Sequence, residues 1–147
     1  MRKSLLLILN VLIVALLLIQ FIPVKRNNPT ETAALQAPEA VAALLQRSCY
    51  DCHSNRTHWP WYSRIAPVSW LVSHDVQEGR EELNFSQWGK YDDKKKNKML
   101  HEIVEEVEKG KMPLKIYTLM HPHAKISETD LLILRDWLKK EIANRPD

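Results

Sequence analysis

The sequence predicts an all-α protein, with about four helices following an N-terminal transmembrane helix. Three observations favour this class. The chain opens on an almost unbroken apolar run, later segments repeat apolar residues at helical spacing, and no segment shows the alternation typical of a half-buried strand. A length of 147 residues suits one modest domain with an appendage.

The apolar run covers residues 5–22 and is interrupted only by Asn10 and Gln20. A helix of that length spans roughly 27 Å, close to the hydrocarbon thickness of a bilayer. Basic residues precede the run as in a secretory signal, but no small-residue cleavage site follows it. We therefore predict an uncleaved signal anchor over residues 1–26, with a cleaved signal peptide as the alternative. The basic residues on the two sides balance, so they do not set its orientation.

The positive net charge belongs to this N-terminal segment. Four of the 21 Lys and Arg residues flank the apolar run, which leaves 17 basic residues against 18 acidic ones in the remainder of the chain. A nucleic-acid-binding protein needs a concentrated basic surface. The sequence therefore predicts no nucleic-acid partner.

The remaining chain divides into helices and loops. Residues 27–37 are polar and small and are expected to form a linker before the domain at 38–147. Pro38 and Glu39 favour a helix start, because proline is tolerated and an acid is preferred in the first turn. A second helix is expected from Pro67 onwards.

Capping residues mark the later helices. Asp92 or Asp93 can cap a third helix, and Gly110 is a typical helix stop. Ser127 and Asp130 resemble a capping box at the start of the last helix. The two prolines of residues 111–126 predict an irregular connection, whose Tyr117 and Leu119 are expected, with Trp137, in the core.

Both cysteines of the chain lie in the stretch CYDCH, as Cys49 and Cys52, and His53 follows at once. A disulfide there would close a very small loop and gain little entropy. A zinc site would need a second ligand pair, and a thioredoxin-like dithiol would need a βαβ context. The sequence contains neither.

The same residues match the signature of c-type haem attachment, C-x-x-C-H. On one helical turn Cys49, Cys52 and His53 face the same way, so the thiols can bond covalently to one haem and the imidazole can bind its iron. An export signal agrees with this interpretation, because c-type haem is attached outside the cytoplasm. We therefore expect a single-pass protein of the cytoplasmic membrane, with its haem domain on the periplasmic or outer side.

The distal iron ligand is predicted from the position of the candidate residues in the sequence. Met112 follows Gly110 on a short loop in GKMP, where Pro113 stiffens the backbone. Met120 is the alternative, and a histidine or an open position is also considered. A thioether opposite an imidazole raises the reduction potential and favours electron transfer.

Several stretches together resemble the bacterial haem-binding domain family, whose members are small, exported, cytochrome c-like proteins. These stretches are CYDCHSN, WPWYSRIAPVSWLVSHDV and GKMPL, and the resemblance covers roughly residues 38–140. It implies that Cys49 and Cys52 hold the haem, that His53 is the proximal ligand and that the MP motif supplies Met112. It also implies a cytochrome c-like fold in which the first and last helices of the domain cross.

Other residues are assigned supporting roles around the haem. A backbone carbonyl of Pro60 or Pro67 is expected to accept the ring N–H of His53, and Arg56 and Arg64 can pair with haem propionates. An aromatic shell is expected to exclude water from the haem, and consists of Trp59, Trp61, Tyr62 and Trp70.

The sequence therefore predicts a membrane-anchored monohaem cytochrome c that carries electrons and is not an enzyme. Its redox partner proteins are not identified by the sequence. A haem-based sensor or peroxidase-like enzyme, with an open or labile distal site, is the first alternative. A haem-free CxxC thiol module is the second.

Overall fold

The computed structural model describes residues 2–144. Within this range the protein is all-helical and contains no strand, which confirms the predicted class. Residues 2–144 form seven α-helices: α1 (Arg2–Leu18), α2 (Glu39–Ser48), α3 (Tyr50–His53), α4 (Val68–Glu82), α5 (Asp93–Glu108), α6 (Lys115–Met120) and α7 (Glu128–Ala143).

The first helix is the only fully exposed one among these. It continues into a 3-10 turn at Ile19–Phe21, and this helical stretch is long and apolar enough to cross a membrane. A signal sequence would have the same properties. None of its residues is buried against the rest of the chain, as expected of a helix whose apolar surface is covered by lipid.

The predicted helix starts are confirmed for the domain. The side chain of Asp92 accepts a hydrogen bond from the Lys95 N–H at 2.7 Å, which caps α5. Ser127 and Asp130 form the complete capping box of α7. Gly110 ends the α5 region with a φ of 65°, a conformation that glycine adopts without steric cost.

The prediction of an irregular connection over residues 111–126 was wrong in part. This stretch contains α6, which begins after Pro113 and ends before Pro122, and a 3-10 turn at Pro122–Ala124. The prolines flank the helix and interrupt none of its internal hydrogen bonds, so they limit its length without preventing it.

The core lies where α2, α5 and α7 meet. Helix α7 packs against both α2 and α5, and α3 packs mainly against α4. The centre of the core is formed by Leu35, Val41, Leu44, Leu45, Phe85, Trp88, Met99, Leu100, Leu134, Trp137 and Leu138. The first and last helices of the domain are therefore in contact, and the Arg47–Asp130 ion pair, at 2.9 Å, joins them.

Residues 27–37 form no helix but lie along the domain. The Leu35 N–H donates to the Phe85 carbonyl at 2.8 Å, and the Gly89 N–H donates to the Ala33 carbonyl at 2.9 Å. The Arg80 guanidinium on α4 donates to the backbone oxygens of Asn27, at 3.0 Å, and Ser54, at 2.7 Å. This network holds the chain between α1 and α2 against the loop that follows α3.

Candidate functional site

Cys49, Cys52 and His53 lie on one tight turn. Cys49 follows α2 directly, and its carbonyl accepts the N–H groups of Cys52, at 3.2 Å, and His53, at 2.9 Å. The intervening residues fix this turn in the domain. Tyr50 stacks on Phe85, with ring centroids 5.3 Å apart, and the Asp51 carboxylate accepts the Tyr117 hydroxyl hydrogen at 2.9 Å.

The imidazole of His53 is oriented by two carbonyls at the end of α4. Its Nδ1 lies 2.8 Å from the Gly79 carbonyl oxygen and 3.1 Å from that of Leu83. Since carbonyls only accept, Nδ1 carries the hydrogen and Nε2 keeps its lone pair. The prediction that Pro60 or Pro67 would supply the carbonyl was wrong, because α4 packs on the motif through its C-terminal half.

Gly79 allows this close approach. A Cβ at this position would lie 2.9 Å from the carbonyl oxygen of Cys52 and 3.1 Å from its Cβ. Those distances are shorter than van der Waals contact, and the first is to a backbone atom that cannot rotate away. A residue without a side chain is therefore required where α4 crosses α3.

Burial governs the protonation of the site. Desolvation lowers the pKa of His53, so its imidazole is neutral near pH 7. Burial raises the pKa of Cys49 to about 12, with a further contribution from Cys52. Burial also raises the pKa of Cys52 to about 12, together with the negative charges of Asp51 and Asp75.

Two adjoining clefts open beside this turn, with volumes of about 410 Å³ and about 520 Å³. Cys49, His53 and Met112 line both clefts, and Cys52 lines the first. Ligand sites typically occupy about 300–1,000 Å³ and are mostly apolar. The apolar walls are formed by Leu83, Phe85, Met99, Ile103, Val107, Pro113, Leu114 and Ile126.

The two predicted methionines have different positions. The loop after α5 carries Met112 to the clefts, where the N–H groups of Lys111 and Met112 donate to the Glu106 carbonyl at 2.9 and 3.1 Å. Met120 lies at the end of α6 and lines a separate groove with Cys52, without Cys49 or His53. The structure therefore brings Met112, but not Met120, to the clefts that His53 lines.

The predicted aromatic shell is wrong. None of its four residues lines the two clefts, and Trp61 is 70% exposed. Arg56 and Arg64 also lie away from the clefts, and Arg56 is paired with Glu31 at 2.5 Å. None of these aromatic and basic residues reaches the clefts, and Leu83 and Phe85, beyond the end of α4, line the second cleft and take the expected apolar role.

Acidic side chains surround the clefts, and the sequence analysis did not identify them. Asp75, Glu78 and Glu82 repeat at helical spacing along α4, beside Gly79, and line the first cleft. Glu102, Glu105 and Glu106 on α5 line the second. The i, i+3 and i+7 spacing of the α4 acids is a signal from which this face could have been predicted.

The model of one protein family, described as the haem-binding domain, matches residues 14–140. The chain belongs to the haem-binding domain family. No curated protein and no solved structure matches it. The match spans the clefts and the CYDCH turn of this haem-binding domain and confirms the family predicted from the sequence.

The residues of the clefts fit a haem. Two thiols, a neutral imidazole and a thioether form a donor set suited to covalent attachment and to axial iron ligation. Ser48, which is 5% exposed and lines both clefts, has a hydroxyl oxygen without a hydrogen-bond partner among the described residues. A buried hydroxyl at the cleft of this haem-binding domain is thus available for a polar group of the cofactor.

Proposed function

We propose that this haem-binding protein is a membrane-anchored monohaem cytochrome c that transfers single electrons outside the cytoplasm. In this proposal Cys49 and Cys52 hold the haem through thioether bonds. His53 is the proximal ligand and Met112 the distal ligand, with Met120 as the alternative. The protein then acts as an electron carrier and not as an enzyme.

The observation that carries the proposal is the arrangement of His53. Its Nδ1 hydrogen is donated to the carbonyls of Gly79 and Leu83. Its ring borders the two clefts that Met112 and Cys49 line, and Cys52 lines the first of them. A ligating imidazole requires a free, unprotonated nitrogen, and a hydrogen bond from its other nitrogen increases its basicity. These are the conditions that a proximal ligand has to meet.

When bound, a c-type haem supplies an iron that accepts and releases one electron. The chain's own residues hold the geometry around that exchange. The carbonyls of Gly79 and Leu83 prevent rotation of the His53 ring, and the α5–α6 loop presents the Met112 sulfur. The apolar walls exclude water. This lowers the reorganisation energy that accompanies a change of charge at the iron.

The thiol chemistry argues against the haem-free alternative. A redox-active cysteine needs a lowered pKa, because the thiolate is the nucleophile. Here burial raises the pKa of both Cys49 and Cys52 to about 12. Such thiols are poor nucleophiles at neutral pH.

Helix α1 supports anchoring in the membrane. Attachment of c-type haem outside the cytoplasm then requires the domain after α1 to lie on the extracytoplasmic side. Extraction of membranes with alkaline carbonate tests the anchor, and we expect the full chain to stay in the membrane pellet. Release into the supernatant would contradict the anchor without affecting the haem assignment.

The decisive experiment is an optical spectrum of the full chain, produced in a host that matures c-type cytochromes. We expect a sharp six-coordinate spectrum after reduction, and haem that resists acid–acetone extraction. The double variant Cys49→Ser/Cys52→Ser serves as the control and should release haem on extraction, because it has no thiol left to form a thioether bond.

The other outcomes separate the alternatives. Retained haem with a high-spin spectrum that shifts on addition of CO would overturn the electron-carrier proposal in favour of a sensor or peroxidase-like enzyme. Absence of haem, in a host shown to mature another cytochrome c, would contradict both and favour the thiol module.

A further inference from the structure

A second feature of the domain lies beside the site described above. Seven apolar side chains at one side of it are exposed, by between 42% and 76%. We call them the apolar face: Trp61, Ile65, Val68, Leu71, Ile116, Leu119 and Met120. Leu119, which was expected in the core, is the most exposed of these residues at 76%.

Five of these seven residues share one groove. Val68 and Leu71 on α4 and Ile116, Leu119 and Met120 on α6 line a single apolar groove of about 280 Å³. Soluble monomers rarely expose a large contiguous apolar patch. Such a patch marks a site that binds another apolar surface, such as that of a protein or a membrane.

The end of α1 is fixed at the edge of this face. The Gln20 side chain binds both backbone groups of Ala66, accepting from its N–H at 2.9 Å and donating to its carbonyl at 3.2 Å. Arg26 donates to the Ser63 carbonyl at 2.9 Å. The 3-10 turn that bears Trp61, and Ile65 after it, therefore lie where the apolar helix meets the domain.

The segments that supply the apolar face carry basic residues and no acidic ones, whereas Asp51 and Asp75, from other segments, line the inner part of the groove beside the first cleft. Residues 58–74 and 109–127, which supply the whole apolar face, contain no Asp or Glu, although the chain has 18 of them. Arg64 and Lys115 are exposed within these stretches, and Lys25 and Arg26 follow α1. Basic residues near a bilayer are attracted to anionic headgroups, and Trp side chains favour the membrane interface.

We propose that the apolar face lies in the interface of the bilayer that α1 crosses, with Arg64 and Lys115 at the level of anionic headgroups. This inference rests on the membrane anchor of the proposed function. Cys52 and Tyr117 line both the groove and the first cleft, so this contact holds the haem site close to the membrane surface. The domain is then held in one orientation instead of moving freely about α1.

Photo-cross-linking to lipid tests this orientation. The full-length haem-loaded protein is placed in nanodiscs of phosphatidylcholine and phosphatidylglycerol, with benzoylphenylalanine in place of Leu119. The matched control carries it in place of Leu132, a 61% exposed leucine on α7 that lies outside the apolar face. A third protein carries it in place of Leu9, within α1, and reports on the anchor.

We expect lipid adducts, detected by mass spectrometry, from the positions of Leu9 and Leu119 but not from that of Leu132. Adducts from the Leu9 position alone would overturn the docking proposal while supporting the anchor. No adducts from either the Leu9 or the Leu119 position would contradict the anchor and the proposal together. Equal adducts from the Leu119 and Leu132 positions would show unspecific contact and also overturn it.

The charge requirement has its own test, in a double variant that carries Arg64→Gln and Lys115→Gln. Each removed charge should lower the ratio of docked to undocked domain by about fivefold, measured as cross-linking from the Leu119 position. The haem spectrum of the variant should not change, because neither residue lines the two clefts. Cross-linking that is insensitive to both charges would contradict the role of the headgroups.

Discussion

His53 donates its Nδ1 hydrogen to the carbonyl oxygen of Gly79 at 2.8 Å, and Gly79 at the same time lies against the backbone of Cys52. One glycine therefore connects α4 to two of the three potential haem-binding side chains of the CYDCH turn. The hydrogen bond exists only because the missing side chain lets the two helices approach each other. Orientation of the imidazole and packing of α3 on α4 are thus a single structural feature.

Gly79→Ala should lower the free energy of unfolding by about 1–3 kcal/mol, the usual cost of overpacking a tight contact. The added Cβ would push α4 away from Cys52 and lengthen the hydrogen bond to His53. Denaturant unfolding measures this, with Glu81→Ala as the control, because Glu81 is an exposed residue of the same helix. Equal stability of the two variants would contradict the proposed packing role.

Met112→Ala and Met120→Ala should have different effects on the optical spectrum and on the reduction potential. With haem bound, the Met112 variant should lose the sulfur-to-iron charge-transfer band and show a lowered reduction potential, because a thioether ligand raises it. The Met120 variant should keep both, since Met120 lines the groove with the apolar face and not the clefts of His53. Optical spectroscopy and potentiometry distinguish them, and loss of the band in the Met120 variant alone would reverse the assignment.

Gly110→Ala should affect Met112, the proposed distal ligand, through the backbone. At a φ of 65° an L-residue with a Cβ costs about 1–2 kcal/mol, although a Cβ there would meet nothing within 4 Å. The expected result is lower stability and a weakened methionine band, because the loop to Met112 begins here. Gly110→Asn is the control, since asparagine tolerates this conformation and should retain more of both properties.

Glu82→Gln should raise the reduction potential of the haem-loaded protein. Glu82 lines both clefts. Desolvation lowers the pKa of His53, and the negative charge of Glu82 partly opposes that shift. The same charge favours the oxidised, more positive iron. Since Glu82 is exposed, the shift should be roughly 10–40 mV, equivalent to about 0.2–1 kcal/mol. Glu81→Gln should shift it less, and potentiometry that finds equal shifts would contradict this electrostatic role.

Asp130 should make the stability of the domain depend on acid pH. Burial raises the pKa of this carboxyl, but hydrogen bonds from Ser127 and Arg47 outweigh that effect and lower it. The stabilisation is present above the ordinary Asp pKa of about 3.9 and is lost as pH falls through the lower folded value. Asp130→Asn should flatten the fall in unfolding free energy below about pH 4. The control is Asp136→Asn, which removes an exposed acid of α7 and should leave the fall in unfolding free energy unchanged. Equal pH dependence of stability in the two variants would contradict the role of Asp130.

The incorrect predictions concern the direction in which large apolar side chains point. Trp61 and Leu119 were assigned to the interior because they are large and apolar, yet both are exposed. Apolar character predicts removal from water, but it does not distinguish a protein core from a lipid surface. The backbone at Ala66 is held by the side chain of Gln20, 46 residues earlier, and no local sequence pattern predicts such a contact.

The features that could be predicted from the sequence alone depend on residues three or four positions apart. The capping box of Ser127 and Asp130 and the single turn of Cys49, Cys52 and His53 belong to this class, because helical geometry places such residues together in any context. The orientation of His53 by Gly79 and Leu83 is a contact between distant segments. The same is true of the position of Met112, rather than Met120, at the clefts that His53 lines. Those contacts depend on which helix faces pack together, and packing is settled by the burial of the whole core at once.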